Sequence, residues 1–142
     1  MYKDLGTILI TGSTGTGKSF LIKKYIDEVL QDKNNFIIII DPKMVEFFAY
    51  KNKENVKYID NLDELDDNFF ASIKNSDKTI YLFVDEYAEI KCIDNLHKKF
   101  KEILYNRQET NTNVIFASQR KDCFCNGMKK SANTVITLNS HQ

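Results

Sequence analysis

Five short apolar runs recur along the chain, separated by polar or amphipathic stretches. They occupy residues 7–11, 36–40, 80–84, 114–117 and 134–138. Most are rich in β-branched residues and apolar throughout, which is typical of strands that are covered on both faces in a parallel sheet. A further short run at residues 56–59 is compatible with an extra strand at the edge of that sheet.

Helical patterns fill the intervals between these runs. Apolar side chains recur every three or four positions over residues 18–31 and again over residues 90–107, a spacing that buries one stripe of a helix. Residues 60–76 indicate an acidic loop that leads into a short helix. The alternation of strands and helices predicts a three-layer α/β fold with right-handed crossovers, and we expect a single domain over residues 1–142.

Composition narrows the functions that such a domain can have. The 142 residues are 42% hydrophobic and 28% charged, and 20 Lys+Arg balance 20 Asp+Glu. A stand-alone nucleic-acid binder is normally basic, although a neutral chain can still carry a basic strip on one face. No run reaches the ~18 apolar residues of a membrane span. The three cysteines form no C-x-x-C pair, which disfavours zinc and indicates reduced thiols in a cytoplasmic protein.

Residues 12–19 satisfy the phosphate-loop pattern G-x-x-x-x-G-K-[ST] in full. The motif follows a predicted strand and opens a predicted helix, where glycines let backbone N–H groups turn toward phosphate oxygens. Lys18 is expected to reach the β- and γ-phosphates, and the Ser19 hydroxyl to ligate Mg²⁺. The predicted nucleotide-binding residues are Gly12, Ser13, Thr14, Gly15, Thr16, Gly17, Lys18, Ser19 and Phe20.

Two acids follow the third apolar run. Asp85 and Glu86 stand directly after residues 80–84, and the carboxyl ends of parallel strands lie at the sheet edge that also holds the phosphate loop. Asp85 suits the outer coordination sphere of Mg²⁺, and Glu86 suits a base that polarises a water for attack on the γ-phosphate. This pair favours a hydrolase over a nucleotide kinase, which needs an acceptor site.

Gln119 stands just after the fourth apolar run. An amide both donates and accepts hydrogen bonds, so Gln119 at a strand end is a candidate contact for the γ-phosphate or for the attacking water. The chain lacks the Asn/Thr-Lys-x-Asp sequence by which GTPases read guanine. We therefore expect ATP, with Mg²⁺, rather than GTP.

Four segments in order resemble the FtsK/SpoIIIE branch of the FtsK–HerA ATPases. Residues 12–19 resemble its phosphate loop, and residues 41–46 (D-P-K-M-V-E) match its D-P-K-x-x-E string. Residues 84–89 (V-D-E-Y-A-E) are similar to its V-D-E-[FY]-A-D segment, and residues 117–120 (A-S-Q-R) to its A-T-Q-R. The resemblance implies a RecA-like (ASCE) core with five mainly parallel strands in the order 5-1-4-3-2. It also implies hydrolysis of ATP that moves double-stranded DNA through a ring.

The same resemblance draws attention to the two arginines of the chain. Family members often carry an arginine shortly before the A-T-Q-R strand, and Arg107 stands close to that place. Arg107 is the first candidate for a finger that reaches the ATP of a neighbouring subunit, and Arg120 is the second. Such fingers accelerate hydrolysis by roughly 10³–10⁵ in P-loop enzymes. The family's motor is usually longer than this chain, and Lys121 stands where proline generally follows the strand.

Contact with DNA is assigned to loops that are rich in cations. The first candidate is residues 120–130, which carry Arg120, Lys121, Lys129 and Lys130 between the last two strands. The second is residues 43–57. These loops would form a positive channel when neutral subunits assemble.

Three functions remain open from the sequence. The leading one is an ATPase that translocates or packages double-stranded DNA, in a mobile element, a phage or a plasmid transfer system. The alternative is an ATP-binding interaction module with slow or no hydrolysis. A small nucleotide kinase comes third, since Glu86 favours water over a second nucleotide as the acceptor.

Overall fold

A six-stranded parallel sheet forms the centre of the computed structural model, which describes residues 5–13 and 15–139. Its strands are β1 (Thr7–Gly12), β2 (Phe36–Ile40), β3 (Val56–Ile59), β4 (Ile80–Val84), β5 (Thr112–Ser118) and β6 (Thr134–Leu138). They lie in the order β3-β2-β4-β5-β1-β6, and every neighbouring pair is parallel. The predicted α/β class and parallel sheet are confirmed.

The predicted number of five strands is too low by one. The additional strand is β3, the run at residues 56–59, which pairs with β2 at the edge of the described sheet. An edge strand is only partly covered, and three of its four residues retain exposure to solvent. Its apolar signal is therefore weaker than that of the central strands. The predicted order 5-1-4-3-2 corresponds to β6-β1-β5-β4-β2, with β3 added outside β2.

Helices cover both faces of the sheet. They are α1 (Lys18–Val29), α2 (Asp67–Lys74), α3 (Tyr87–Lys91), α4 (Asp94–Tyr105) and α5 (Asn126–Ser131). The single helix predicted over residues 90–107 is wrong, because the extended backbone of Ile93 (φ −111°, ψ 103°) separates α3 from α4. The longest described helices have 12 residues. None of the helices in the described ranges is long and apolar enough to cross a bilayer.

Side chains of the central strands alternate between two apolar clusters. In β4, Leu82 and Val84 pack in the cluster under α2 to α5, whereas Tyr81 and Phe83 pack in the cluster under α1. This alternation is the period of two that places successive strand residues on opposite faces of a sheet. All six strands point the same way, so their carboxyl ends meet at one edge, and the loops that follow them share that edge.

Candidate active site

A cleft of about 350 Å³ opens at the edge formed by the carboxyl ends of the strands. It is lined by Ser13, Gly15, Gly17, Lys18, Ser19, Phe20, Lys43, Val45, Glu46, Asp85, Glu86 and Gln119. The lining comes from the segments that follow β1, β2, β4 and β5. The structure therefore brings most of the predicted nucleotide-binding residues together with both acids and Gln119. It adds Lys43, Val45 and Glu46 of the D-P-K-M-V-E string, an element that the family resemblance places beside the nucleotide but that is not among the predicted binding residues.

The backbone of the phosphate loop takes a conformation that requires glycine. Gly15 and Gly17 have φ values of +87° and +90°, in the left-handed region that other residues rarely adopt. Gly17 is also the N-cap of α1 and supplies no side-chain hydrogen bond, so N–H groups at the start of this helix remain available to an anion. Thr16 stabilises the loop with a hydrogen bond of 2.7 Å from its Oγ1 to the carbonyl oxygen of Ser13.

Gly12 and Thr16 are described phosphate-loop residues that do not line the cleft. Gly12 ends β1, and Thr16 bonds within the loop. Thr14 lies outside the described residues. Phe20, at the other end of the motif, leaves 69% of its surface exposed on α1 and lines the cleft.

Opposite charges surround the Asp85 carboxylate. The pKa of this group is raised to about 6, and burial is the largest cause. Lys18 and Lys43 act to lower that pKa, whereas the negative charges of Asp41 and Glu86 add to the increase. Lys18 is itself buried, at 8% exposure. The cleft thus holds a partly desolvated carboxylate beside the cation that the phosphate-loop motif supplies.

Replacement of Asp85 by asparagine is expected to stabilise the fold at neutral pH. A raised carboxyl pKa means that the folded chain binds the proton more tightly than the unfolded chain, so Asp85 destabilises the fold increasingly as the pH rises from about 4 to about 6. We expect Asp85→Asn to raise the free energy of unfolding by about 1–2 kcal/mol at pH 7.5, and to lose that gain near pH 4. Urea unfolding at both pH values measures this. Asp77→Asn, at an exposed position before β4, is the matched control, and equal gains in the two variants would contradict the assignment.

Glu86 is a buried acceptor as well as a cleft residue. Its side chain is 6% exposed. Oε1 accepts from the backbone N–H of Gln119 at 3.0 Å, and Oε2 accepts from the Ser118 hydroxyl at 2.7 Å and the Ala88 N–H at 3.3 Å. The last bond caps the N-terminus of α3. These contacts join the ends of β4 and β5 and give the carboxylate a defined orientation.

The segment after β2 forms one wall of the cleft. The Asp41 carboxylate is fully buried, and its Oδ2 accepts from the Tyr58 hydroxyl at 2.8 Å and from the Phe47 N–H at 3.3 Å. Glu46 pairs with Lys23 of α1 at 3.4 Å. Asp41 and Glu46 therefore anchor the two ends of the D-P-K-M-V-E string, and Lys43 between them lines the cleft.

The two arginines lie in different places. Arg107 opens a 3₁₀ turn, Arg107–Thr110, just before β5, and so lies at the opposite edge of the sheet from the cleft. The seven residues of β5 at ~3.3 Å each separate the two edges by roughly 20 Å. Arg107 does not join the cleft of its own chain, and its role as a finger on another copy stays a prediction. Arg120 follows Gln119 and is exposed.

The cation-rich segment at residues 120–130 is not a simple loop. Its second half forms most of α5, and all four of its cations are exposed. The Lys91 ammonium of α3 donates to the carbonyl oxygen of Asp122 at 3.3 Å. Within residues 5–13 and 15–139, no group of three or more His, Cys, Asp or Glu side chains is arranged to hold a metal ion.

Three residues that shape the site belong to the matched family strings but received no individual role from the sequence. Ser118 and Asp41 are fully buried polar residues at strand ends, and Glu46 lines the cleft. Their positions in the sequence could have identified Ser118 and Asp41. A polar residue at the end of an apolar run in a parallel sheet lies at the edge where ligands bind.

Comparison with known proteins gives one family and a set of related folds. The family model described as "Helicase HerA, central domain" matches residues 7–138. No curated protein matches the chain in sequence.

Among solved structures, three are similar in fold. The DNA-packaging ATPase B204 from Sulfolobus Turreted Icosahedral Virus is 21% identical, with a TM-score of 0.75 over 99% of this chain and 78% of that one. EssC (ATPases 2 and 3) from Geobacillus thermodenitrificans is 15% identical, with a TM-score of 0.82 over 94% of this chain and 32% of that one. The conjugation coupling protein TcpA of pCW3, solved with ATPγS, is 18% identical, with a TM-score of 0.70 over 91% of this chain and 47% of that one. The chain thus spans less than half of the EssC and TcpA chains.

Proposed function

Since the chain belongs to the family of the HerA helicase central domain, we propose that it is a Mg²⁺-dependent ATPase that translocates or packages double-stranded DNA as a ring of copies. The predicted resemblance to the FtsK–HerA superfamily is confirmed by that membership. The observation that carries the proposal is the cleft in which the phosphate loop meets Asp85, Glu86 and Gln119. Such a cleft holds a triphosphate at one end and a proton acceptor near its γ-phosphate.

Each proposed role follows from the chemistry of the residue. The backbone N–H groups of residues 15–19 and the Lys18 ammonium bind the β- and γ-phosphates. The Gln119 amide contacts the γ-phosphate or the water. In the hydrolytic step the water oxygen bonds to the γ-phosphorus, the bond from phosphorus to the ADP oxygen breaks, and one water proton passes to Glu86.

The residues present fit Mg²⁺. The Ser19 hydroxyl and the Asp85 carboxylate line the same cleft, and both are the oxygen donors that this ion prefers. Two protein ligands are the number expected when phosphate and water supply the rest. When bound, the ion neutralises charge on the phosphate oxygens.

Support for DNA as the partner comes from relatives and from charge. One related fold is a viral DNA-packaging ATPase and another is a conjugation coupling protein. In this chain the exposed cations Arg120, Lys121, Lys129 and Lys130 follow β5 and Gln119. A single domain over residues 1–142, a cytoplasmic location and the ring itself stay predictions.

The alternative function is an ATP-binding module with slow or no hydrolysis. One observation favours it: three protein donors already occupy the Glu86 carboxylate, which limits its capacity to accept a proton from water.

Steady-state phosphate release, measured with and without duplex DNA, tests the proposed function. We expect turnover that duplex DNA stimulates. Tight binding of ATP without turnover at any protein concentration would support the interaction module instead. Transfer of phosphate to a second nucleotide would support a kinase.

A further inference from the structure

The Ser118 hydroxyl lies at a junction between the proposed base and the segment that follows β5. Ser118 is the last residue of β5 and is fully buried. Its Oγ donates to Oε2 of Glu86 at 2.7 Å and accepts from the backbone N–H of Arg120 at 3.0 Å. The hydroxyl therefore uses its one donor on Glu86, and the turn that follows β5 occupies one of its two acceptor sites.

The bonds to Glu86 leave its two oxygens unequal. A carboxylate offers about four lone-pair sites, two on each oxygen. Oε2 accepts from Ser118 and from the Ala88 N–H, and so has both of its sites filled. Oε1 accepts only from the Gln119 N–H among these donors and keeps one site. The remaining acceptor capacity thus lies on Oε1, on the side of Gln119, and both residues line the cleft.

We propose that Ser118 is a positioning residue for ATP hydrolysis, whose hydroxyl fixes the Glu86 carboxylate so that Oε1 keeps its free acceptor site beside Gln119. The inference rests on the proposed function, because it assigns Ser118 a part in that reaction. Of the three bonds to Glu86, this one is the shortest and the only one from a side chain. Without it, Oε2 retains a single partner at 3.3 Å, and only two backbone N–H groups orient the carboxylate.

The geometry also links Glu86 to the exposed cations. The Arg120 N–H bonds the same hydroxyl that holds Glu86. A displacement of the Arg120 turn therefore acts on the Glu86 carboxylate through one oxygen atom. This path connects the proposed DNA-contacting segment with the proposed base.

The test compares three substitutions at Ser118 by phosphate release and by calorimetric ATP affinity. We expect Ser118→Ala to lower kcat by about 10- to 100-fold and to leave the Kd for ATP within about twofold, since misplacement of a catalytic group affects the transition state more than binding. Ser118→Thr keeps the hydroxyl and is expected to restore most of kcat. Ser118→Cys, with a weak thiol donor, is expected to resemble Ser118→Ala and replaces it if the alanine variant does not fold.

Thr112→Val is the matched control at the other end of β5. Thr112 is also fully buried, and its hydroxyl bonds to Thr110, remote from the cleft. We expect this variant to lose stability with kcat unchanged. An unchanged kcat in Ser118→Ala, an equal loss in Thr112→Val, or a threonine variant as slow as the alanine variant would overturn the inference and leave the proposed function standing. Absence of turnover in the wild-type chain would overturn both.

Discussion

Glu86→Gln is expected to lower kcat for ATP hydrolysis by about 10²–10⁴-fold, the range that removal of a general base produces. Glutamine has nearly the size of glutamate, but its amide does not accept the proton that the attacking water releases. ATP affinity is expected to stay close to that of the wild type, because Glu86 is assigned to the water and not to the phosphates. Phosphate release, with and without duplex DNA, measures the loss.

The same substitution is expected to destabilise the fold. The Glu86 carboxylate accepts from Ser118, Gln119 and Ala88, and an amide presents an NH₂ group to at least one of these donors. The conflict costs about 1–3 kcal/mol, the usual cost of an unpaired buried polar group. Glu89→Gln, at an exposed position on α3, is the control. A wild-type rate of ATP hydrolysis in Glu86→Gln would show that Glu86 does not take part in the reaction.

Lys18→Ala is expected to weaken ATP binding by about 10- to 150-fold, which corresponds to the loss of hydrogen bonds from a charged donor. Lys18 begins α1 and is buried beside Asp85. Its removal takes away the cation that faces the phosphates and leaves the Asp85 carboxylate without its main opposing charge. Calorimetric titration with ATP and Mg²⁺ measures the change.

Lys23→Ala is the matched control, since it removes the same charge from the same helix. Lys23 is partly exposed and pairs with Glu46, and it does not line the cleft. Its loss is expected to change ATP affinity little. Equal weakening in the two variants would show that the overall charge of α1, rather than the position of Lys18, determines binding.

The central sheet and the phosphate loop were predictable because each has a local signal. Continuous apolar runs are typical of strands covered on both faces, and the glycine spacing of residues 12–19 reflects backbone angles that only glycine adopts readily. Strand order followed from the family resemblance, and the pairing of β1 with β5 and β6 agrees with it.

The predictions of secondary structure were wrong where the local pattern of apolar residues was weak or misleading. Strand β3 lies at an edge and is only partly buried, so its pattern is not continuously apolar. Ile93 continues the helical spacing of apolar residues, and this hid the break between α3 and α4. Helix α5 buries only Met128, so its six residues show no periodic stripe.

Contacts between residues that are distant along the chain could not be predicted from the sequence. Ser118 and Glu86 are 32 positions apart, and their bond depends on the lateral pairing of β4 with β5. The location of Arg107 was accessible in principle, because a residue that precedes a parallel strand lies at the edge opposite the ligand site. The finger prediction places Arg107 at the ATP of a neighbouring subunit, which is compatible with this location and stays a prediction.

Calorimetric titration of the wild-type chain with ATP and Mg²⁺ tests the central claim most directly. The cleft at the end of β1 predicts one saturable ATP site per chain. ADP is expected to compete with ATP for this site, and Lys18→Ala to lower its affinity for ATP. Absence of binding heat at millimolar nucleotide, or binding that Lys18→Ala leaves unchanged, would contradict the assignment of the cleft to ATP.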